Sequence, residues 1–178
     1  MFRQTLVQLR IPPAVRAQPF LFGVSLSLLS FTLAGTAGGV LVLLLGQQGL
    51  TASAGAQLLP TPEPWLFLLA VIIIPAFETL TAQLIPIELL RRLRSSKTVA
   101  IVVSAGAFGV GHYVMGSVSH GITSFLSGLV FGYAYLAFSD QSWGRGFLCA
   151  WSAHAAHNFL SLYGVGKLLA GWFSASGA

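Results

Sequence analysis

Trp65-Leu-Phe-Leu-Leu-Ala-Val-Ile-Ile-Ile-Pro-Ala-Phe-Glu78-Thr-Leu-Thr-Ala-Gln83 is apolar from its first residue until one carboxylate, Glu78, interrupts it. The run carries on through Pro86 and stops at a basic cluster, Arg91, Arg92, Arg94 and Lys97. A stretch of this length can cross a bilayer, and the basic stop marks where it leaves the hydrocarbon. A carboxylate inside hydrocarbon is costly, so an intramembrane Glu is by default a functional residue in need of partners. The rest of the chain has to supply them.

Composition places the whole chain in the same setting. Of 178 residues, 55% are hydrophobic and 7% charged, with a mean hydropathy of +0.81. Soluble domains carry about a quarter charged residues, so this is an integral membrane protein. A net charge of +5 would point to nucleic acid in a soluble protein. Here the basic residues flank apolar runs, which makes them topology signals and contacts to anionic head groups, with no nucleic-acid partner. The single cysteine, Cys149, lies within an apolar run. It excludes an intramolecular disulfide and a thiolate-rich metal site, and reads as a small buried residue.

Hydropathy predicts an all-α polytopic bundle of about five membrane helices, forming one integral membrane domain over residues 1–178. Residues 1–18 form a short basic segment with Arg3, Arg10 and Arg16, and Pro12-Pro13 argues against one continuous helix there. The bundle is expected over 20–166, followed by a tail over 167–178. Phe20–Gly46 is the first span, too long for the apolar core of a secretory signal despite Ala52-Ser-Ala54. Its Gly35 and Gly39 form a GxxxG step suited to close helix approach. Gln47–Pro64 is a polar loop. Trp65–Leu90 is the second span, and Pro75 and Pro86 predict that it is kinked or broken. Glu88, beside the basic run, reads as structural. Thr98–Gly116 is the third span and Ser117–Gly121 a turn that leaves His120 solvated. Ile122–Phe138 is the fourth span, with Gly128 and Gly132 at GxxxG spacing, and Asp140–Gly146 is a loop. Phe147–Val165 is the fifth. Five spans place eight of the nine basic residues on one side, the cytosol under the positive-inside rule, together with the amino terminus. A bacterial inner membrane is the expected location. Trp65, Trp143 and Trp151 read as interfacial or packing aromatics.

Three spans carry polar groups at helical spacing. The second offers Glu78, Thr79 and Gln83, the third Phe108-Gly-Val-Gly-His112, and the fifth His154-Ala-Ala-His157-Asn158. Residues four apart share a helix face, so Phe108 sits beneath His112, and His154 and Asn158 point the same way. Taken singly, each could be a polar side chain bonded across helices. Together they are the groups hydrolysis requires: a base for water, a second proton carrier and hydrogen-bond donors to an oxyanion. His157 is either a further donor behind these or a packing residue.

These residues resemble the motifs of the CPBP group of intramembrane proteases, also called the CAAX-protease or ABI family. That family carries Glu-Glu-x-x-x-Arg, then Phe-x-x-x-His, then His-x-x-x-Asn on successive membrane helices. Phe108 to His112 matches the second motif and His154 to Asn158 the third, and Phe125–Tyr133 is similar to the helix between them. The resemblance covers roughly Leu66 to Leu162. The first motif departs from the pattern: Glu78 stands at the first Glu, Thr79 at the second and Gln83 at the Arg. Removing one partner of a buried ion pair strands the other at a cost of about 3–5 kcal/mol, whereas removing both leaves a neutral pair that can still hydrogen-bond. The change reads as a coordinated swap that keeps the base.

The resemblance implies a catalytic set of Glu78, His112, His154 and Asn158, with Thr79, Gln83, Phe108 and His157 in support. Glu78 would activate water, His112 would hold that water or carry its proton, and His154 and Asn158 would donate to the oxyanion. It also implies a membrane-associated protein or peptide as substrate and no required cofactor. Three rivals stand beside it. One is a divalent metal such as zinc held by Glu78, His112 and His154. The second is a rhomboid-like site using Ser127-Gly128 with His154, which lacks the required Gly at Phe125. The third is a catalytically inactive scaffold, immunity-type protein or small transporter using the same polar cavity. The sequence leaves the oligomeric state open.

Overall fold

The computed structural model describes residues 11–45, 58 and 60–165. The basic segment through Arg10, most of the Gln47–Pro64 loop with Ala52-Ser-Ala54, and the tail from Lys167 lie outside the described residues. A short helix α1 (Pro13–Arg16) starts on a proline, whose missing N–H is no loss in a first turn. Five longer helices follow. They are α2 (Pro19–Leu45), α3 (Glu63–Arg92), α4 (Lys97–Val114), α5 (Val118–Ser139) and α6 (Trp143–Phe159), the last extended by a wider π turn over Leu160–Val165. The expected all-α polytopic bundle is what is found. Among the described residues, α2 to α5 are long and apolar enough to cross a membrane. The expected fifth span is α6, which is shorter and carries His154, His157 and Asn158 among its last residues.

Serine caps set three of the starts. Ser96, Ser117 and Ser142 each accept a hydrogen bond from a backbone N–H three residues on, at 3.2 Å. These caps explain two departures from the sequence reading. The Ser117–Gly121 turn is in fact a cap and the first turn of α5, which puts His120 on a helix. Likewise the Asp140–Gly146 loop ends early, because α6 begins at Trp143.

The second span is neither broken nor split. α3 runs unbroken for 30 residues by alternating geometry. A π turn over Leu68–Ile73 precedes Ile74–Glu78, and a second over Thr79–Leu84 precedes Ile85–Arg92. Each π turn lies just before a segment with proline at its second residue, Pro75 or Pro86. A proline ring crowds the preceding turn and supplies no N–H, and widening that turn absorbs both effects.

α5 is the central helix. Of its apolar stretch 61% is buried inside the protein, against 28% for α3 and for α4 and 6% for α2. Glycines bring its neighbours close. A Cβ at Gly128 would stand 3.0 Å from the Ala105 Cα, and one at Gly132 would stand 3.3 Å from Ser104 Oγ, so the GxxxG of α5 packs on α4 as its spacing predicts. The GxxxG of α2 does not: among the described residues nothing lies within 4 Å of a Cβ at Gly35 or Gly39. α2 grips α6 earlier, at Gly23, where a Cβ would run into Ser152 Oγ and the Cys149 carbonyl. Ser152 Oγ in turn donates to the Phe20 carbonyl at 3.1 Å. Cys149 is buried as expected. Ile87, Ala100, Phe131, Tyr135 and Phe138 form the apolar core with it.

At the basic end, polar side chains tie three helices together. Glu88 accepts from Arg91 at 2.8 Å and from the Tyr135 hydroxyl at 2.7 Å. Asp140 pairs with Arg91 at 3.2 Å and Lys97 at 3.3 Å. Glu88 is thus structural, as its place in the sequence suggested. Arg145 donates to the Arg16 carbonyl at this same end.

The two glycine sites of α2 make opposite demands. Gly23→Ala is expected to destabilise the detergent-solubilised protein by about 1–3 kcal/mol, because the added methyl must push α2 off α6. Gly35→Ala should leave the melting temperature unchanged or raise it slightly through better helix propensity. Parallel thermal melts of the two variants check this.

Candidate functional site

Glu78 closes the short α-helical segment between the two π turns of α3. It faces two imidazoles. Glu78 Oε1 lies 3.7 Å from His112 Nε2 on α4, and Glu78 Oε2 lies 3.5 Å from His154 Nε2 on α6. The side chain of Glu78 keeps 26% of its surface exposed, against 14% for His112 and 3% for His154. The carboxylate is therefore the reachable member and His154 the sealed one.

Each ring is held by its other nitrogen and by aromatic neighbours. His112 Nδ1 meets the Phe108 carbonyl at 2.9 Å. A carbonyl only accepts, so Nδ1 carries the proton, and the Nε2 of a neutral His112 presents a lone pair to Glu78. His154 Nδ1 lies 3.5 Å from Thr79 Oγ1. A hydroxyl donates as well as accepts, so Thr79 permits the tautomer in which His154 Nε2 carries the proton, which a carboxylate at residue 79 would oppose. Phe131 stacks on His154 at 4.6 Å between ring centres, and Phe108 stands edge-on to it at 5.2 Å. Phe108 also abuts the His112 ring at 4.3 Å, so its place one turn beneath His112 serves both imidazoles.

The remaining expected residues go to other tasks or stand further back. Asn158 Nδ2 donates to the Ala70 carbonyl at 2.9 Å. In the π register that carbonyl would take the N–H of residue 75, which is proline. Asn158 thus satisfies a carbonyl that Pro75 leaves stranded. Trp151 Nε1 donates to the Ile72 carbonyl, two residues on, at 3.1 Å, a role the sequence did not reveal. Trp65 and Trp143 are exposed at the helix ends. His157 Nδ1 bonds Ser30 Oγ on α2 at 2.8 Å. Gln83 is fully buried on the second π turn. His120, expected in solvent, packs its ring 4.9 Å from that of His112. Only the Ser117 cap signal could have moved it onto a helix. Of the glycines of α4, Gly109 is used up against Gly121 and Phe125, while a Cβ at Gly106 or Gly111 would meet nothing within 4 Å among the described residues. Gly106 lines an apolar groove of about 300 Å³ between α4 and α5. Among the described residues, no group of three or more His, Cys, Asp and Glu side chains is arranged to hold a metal ion.

One carboxylate and two imidazoles from three helices, with Phe-x-x-x-His and His-x-x-x-Asn in chain order, can now be set against known proteins. The family model described as type II CAAX prenyl endopeptidase Rce1-like matches residues 60–160, more than half of the chain and all of α3 to α5. The chain belongs to that family. Its members are CAAX-type intramembrane proteases of the CPBP group, which fits the apolar helices around Glu78 and brings with it a membrane-associated substrate. No curated protein and no solved structure matches the chain. The match begins at residue 60, so α2 lies outside it.

Removing the Asn158 amide strands the Ala70 carbonyl in an apolar setting. Asn158→Leu is expected to cost about 1–3 kcal/mol of stability. Asn158→Gln, which keeps the donor on a longer arm, should cost less. Thermal unfolding in detergent compares the two.

Proposed function

We propose that the protein is an intramembrane endopeptidase that hydrolyses a peptide bond of a membrane-associated or lipidated protein, or of a peptide precursor, with water activated by Glu78. The observation that carries this reading is the convergence of one half-buried carboxylate on the Nε2 atoms of His112 and His154, at 3.7 and 3.5 Å, from three separate helices.

The steps follow from the donors and acceptors. A water beside Glu78 donates one hydrogen to the carboxylate and the other to the lone pair on His112 Nε2, which turns its own lone pair outward. Its oxygen attacks the scissile carbonyl carbon while Glu78 takes the proton. The carbonyl oxygen becomes an oxyanion that accepts from His154 Nε2–H, the tautomer that Thr79 supports by donating to Nδ1. The second amide hydrogen of Asn158 is the other donor, since the first is engaged by Ala70. Each such donor contributes about 3–4 kcal/mol in other enzymes. When the C–N bond breaks, Glu78 returns its proton to the leaving amine. Phe108 and Phe131 box His154 so that the ring is already aimed when charge develops. Thr79 and Gln83, where the family pattern has a Glu and an Arg, keep this neighbourhood neutral, so Glu78 is the sole charge introduced by α3 at this level.

In the same reading the chain is one integral membrane unit. The end that gathers Arg16, Arg91, Lys97 and Arg145 faces the cytosol, as the positive-inside rule requires. A bacterial inner membrane is its setting.

Glu78→Gln keeps shape and size but cannot take a proton. It is expected to lower peptide cleavage by about 10²–10⁴-fold while the protein still purifies as a folded species. In cells, the uncleaved membrane protein or peptide precursor should accumulate, and comparing the membrane proteomes of the two strains names the substrate. Wild-type processing by this variant would remove catalysis from the site and leave a scaffold or transport role for the polar cavity.

The mechanism runs on side chains alone. Cleavage of a lipidated reporter peptide by the purified enzyme is therefore expected to be unchanged by a strong chelator. Loss of activity that zinc restores would require Glu78, His112 and His154 to act as ligands instead.

A further inference from the structure

Gln83 is fully buried, and neither its amide nitrogen nor its amide oxygen has a hydrogen-bond partner among the described residues. The same is true of Ser104 Oγ on α4. An unpaired buried amide is rare in native proteins, because it forfeits its hydration and receives nothing in exchange. Two such groups on helices packed against each other ask for a common cause.

Their places in the fold supply it. Gln83 lies four residues beyond Thr79 on α3, and Ser104 four residues before Phe108 on α4. Thr79 and Phe108 both touch His154. Gln83 and Ser104 therefore occupy the layer one turn below His154, on the side of the basic end. On α5 that layer is glycine: a Cβ at Gly132 would stand 3.3 Å from Ser104 Oγ, so at this position α5 meets the hydroxyl with backbone and offers it no side chain. One turn further down, Ile87 on α3, Ala100 on α4 and Tyr135 on α5 are all fully buried and belong to one apolar cluster. The layer is polar, is closed beneath by that cluster, and has Thr79 and His154 above it.

We infer that Gln83 and Ser104 hold internal water behind His154, and that this water is tied to the imidazole through Thr79. Water is the ligand whose chemistry fits. It can accept from the Gln83 amide nitrogen, donate to the amide oxygen and exchange a hydrogen bond with Ser104. A water donating to Thr79 Oγ1 leaves the hydroxyl hydrogen for His154 Nδ1, which fixes the tautomer with the proton on Nε2. Gln83 and Ser104 are then positioning residues acting through Thr79, and the swap of a charged pair for Thr79 and Gln83 exchanged a buried ion pair for a hydrated one. The link to His154 rests on the proposed function; the water site itself does not.

Solid-state NMR of the ¹⁵N-labelled protein in lipid bilayers reads the site without any substrate. The Gln83 side-chain amide is assigned by its loss in Gln83→Leu, or in Gln83→Asn should the leucine variant fail to fold. It is expected to receive magnetisation from water as quickly as the exposed Gln141 amide does, and Ser104→Ala should slow that transfer several-fold. An amide that stays dry at mixing times that label Gln141 overturns the inference, and it does so too if Gln83 turns out to bond Ser104 directly. Transfer unaffected by Ser104→Ala would also overturn it. In the cleavage assay, Gln83→Leu is expected to lower kcat about tenfold at unchanged KM. A wild-type kcat in that variant overturns the tie to His154. A dry amide with normal cleavage defeats this inference and leaves the proposed function standing, whereas a wet amide in a protein that cleaves nothing does the reverse.

Discussion

A backbone carbonyl in an apolar interior must find a donor, and Pro75 and Pro86 each remove one from α3. The bundle is arranged around that shortage. Where Pro75 withholds its N–H, α6 answers with Asn158 to Ala70, and Trp151 adds a second bond from α6, to the Ile72 carbonyl. These are hydrogen bonds between a side chain of one helix and the main chain of another, so they fix the rotation and height of α6 against α3 more tightly than apolar contact would. Because Asn158 is four residues from His154, the clamp that repairs the helix also sets the imidazole against Glu78.

The same shortage explains why the site is where it is. Glu78 ends an α-helical segment with a π turn on either side. A π turn inserts a residue and rotates everything beyond it, so two of them aim Glu78, Thr79 and Gln83 as a uniform helix would not. Glu78 meets both histidines, Thr79 lies flush against His154, and Gln83 is wholly enclosed. The function of a polar pocket in a membrane is thus bound to irregular backbone. A straight α3 of the same composition would span the bilayer and present its carboxylate elsewhere.

Much of this was legible in the sequence, and the reasons differ by residue. Charge depletion and hydropathy gave the helical bundle, since only helices and closed barrels satisfy a backbone in lipid. Spacing by four put Phe108 under His112 and His154 level with Asn158, and three polar helices implied that they meet. Spacing did not reveal the π turns, because a proline in an apolar run announces a break without saying how it will be absorbed. For the same reason the Asn158 and Trp151 bonds were not foreseen. The two GxxxG steps had equal standing as patterns, yet Gly128 and Gly132 lie on the central helix with α4 against them, while Gly35 and Gly39 have no neighbour among the described residues. A small residue permits close approach without naming a partner. His120 was misplaced because a serine cap turned an expected loop into helix.

α2 is longer than the layer it crosses. Its 27 residues make a rod of about 40 Å, against a hydrocarbon layer of roughly 30 Å, and only 6% of the residues in its apolar stretch are fully buried. Tilt is how a long rod fits a thin layer. Its closest attachments lie in its first half, where Gly23 and Ser30 meet Ser152 and His157 of α6. It also runs along α5, from Phe22 against Phe138 to Gly38 against Thr123. The tilt of α2 is therefore set by its packing on its neighbours, among them α6, the helix that carries His154.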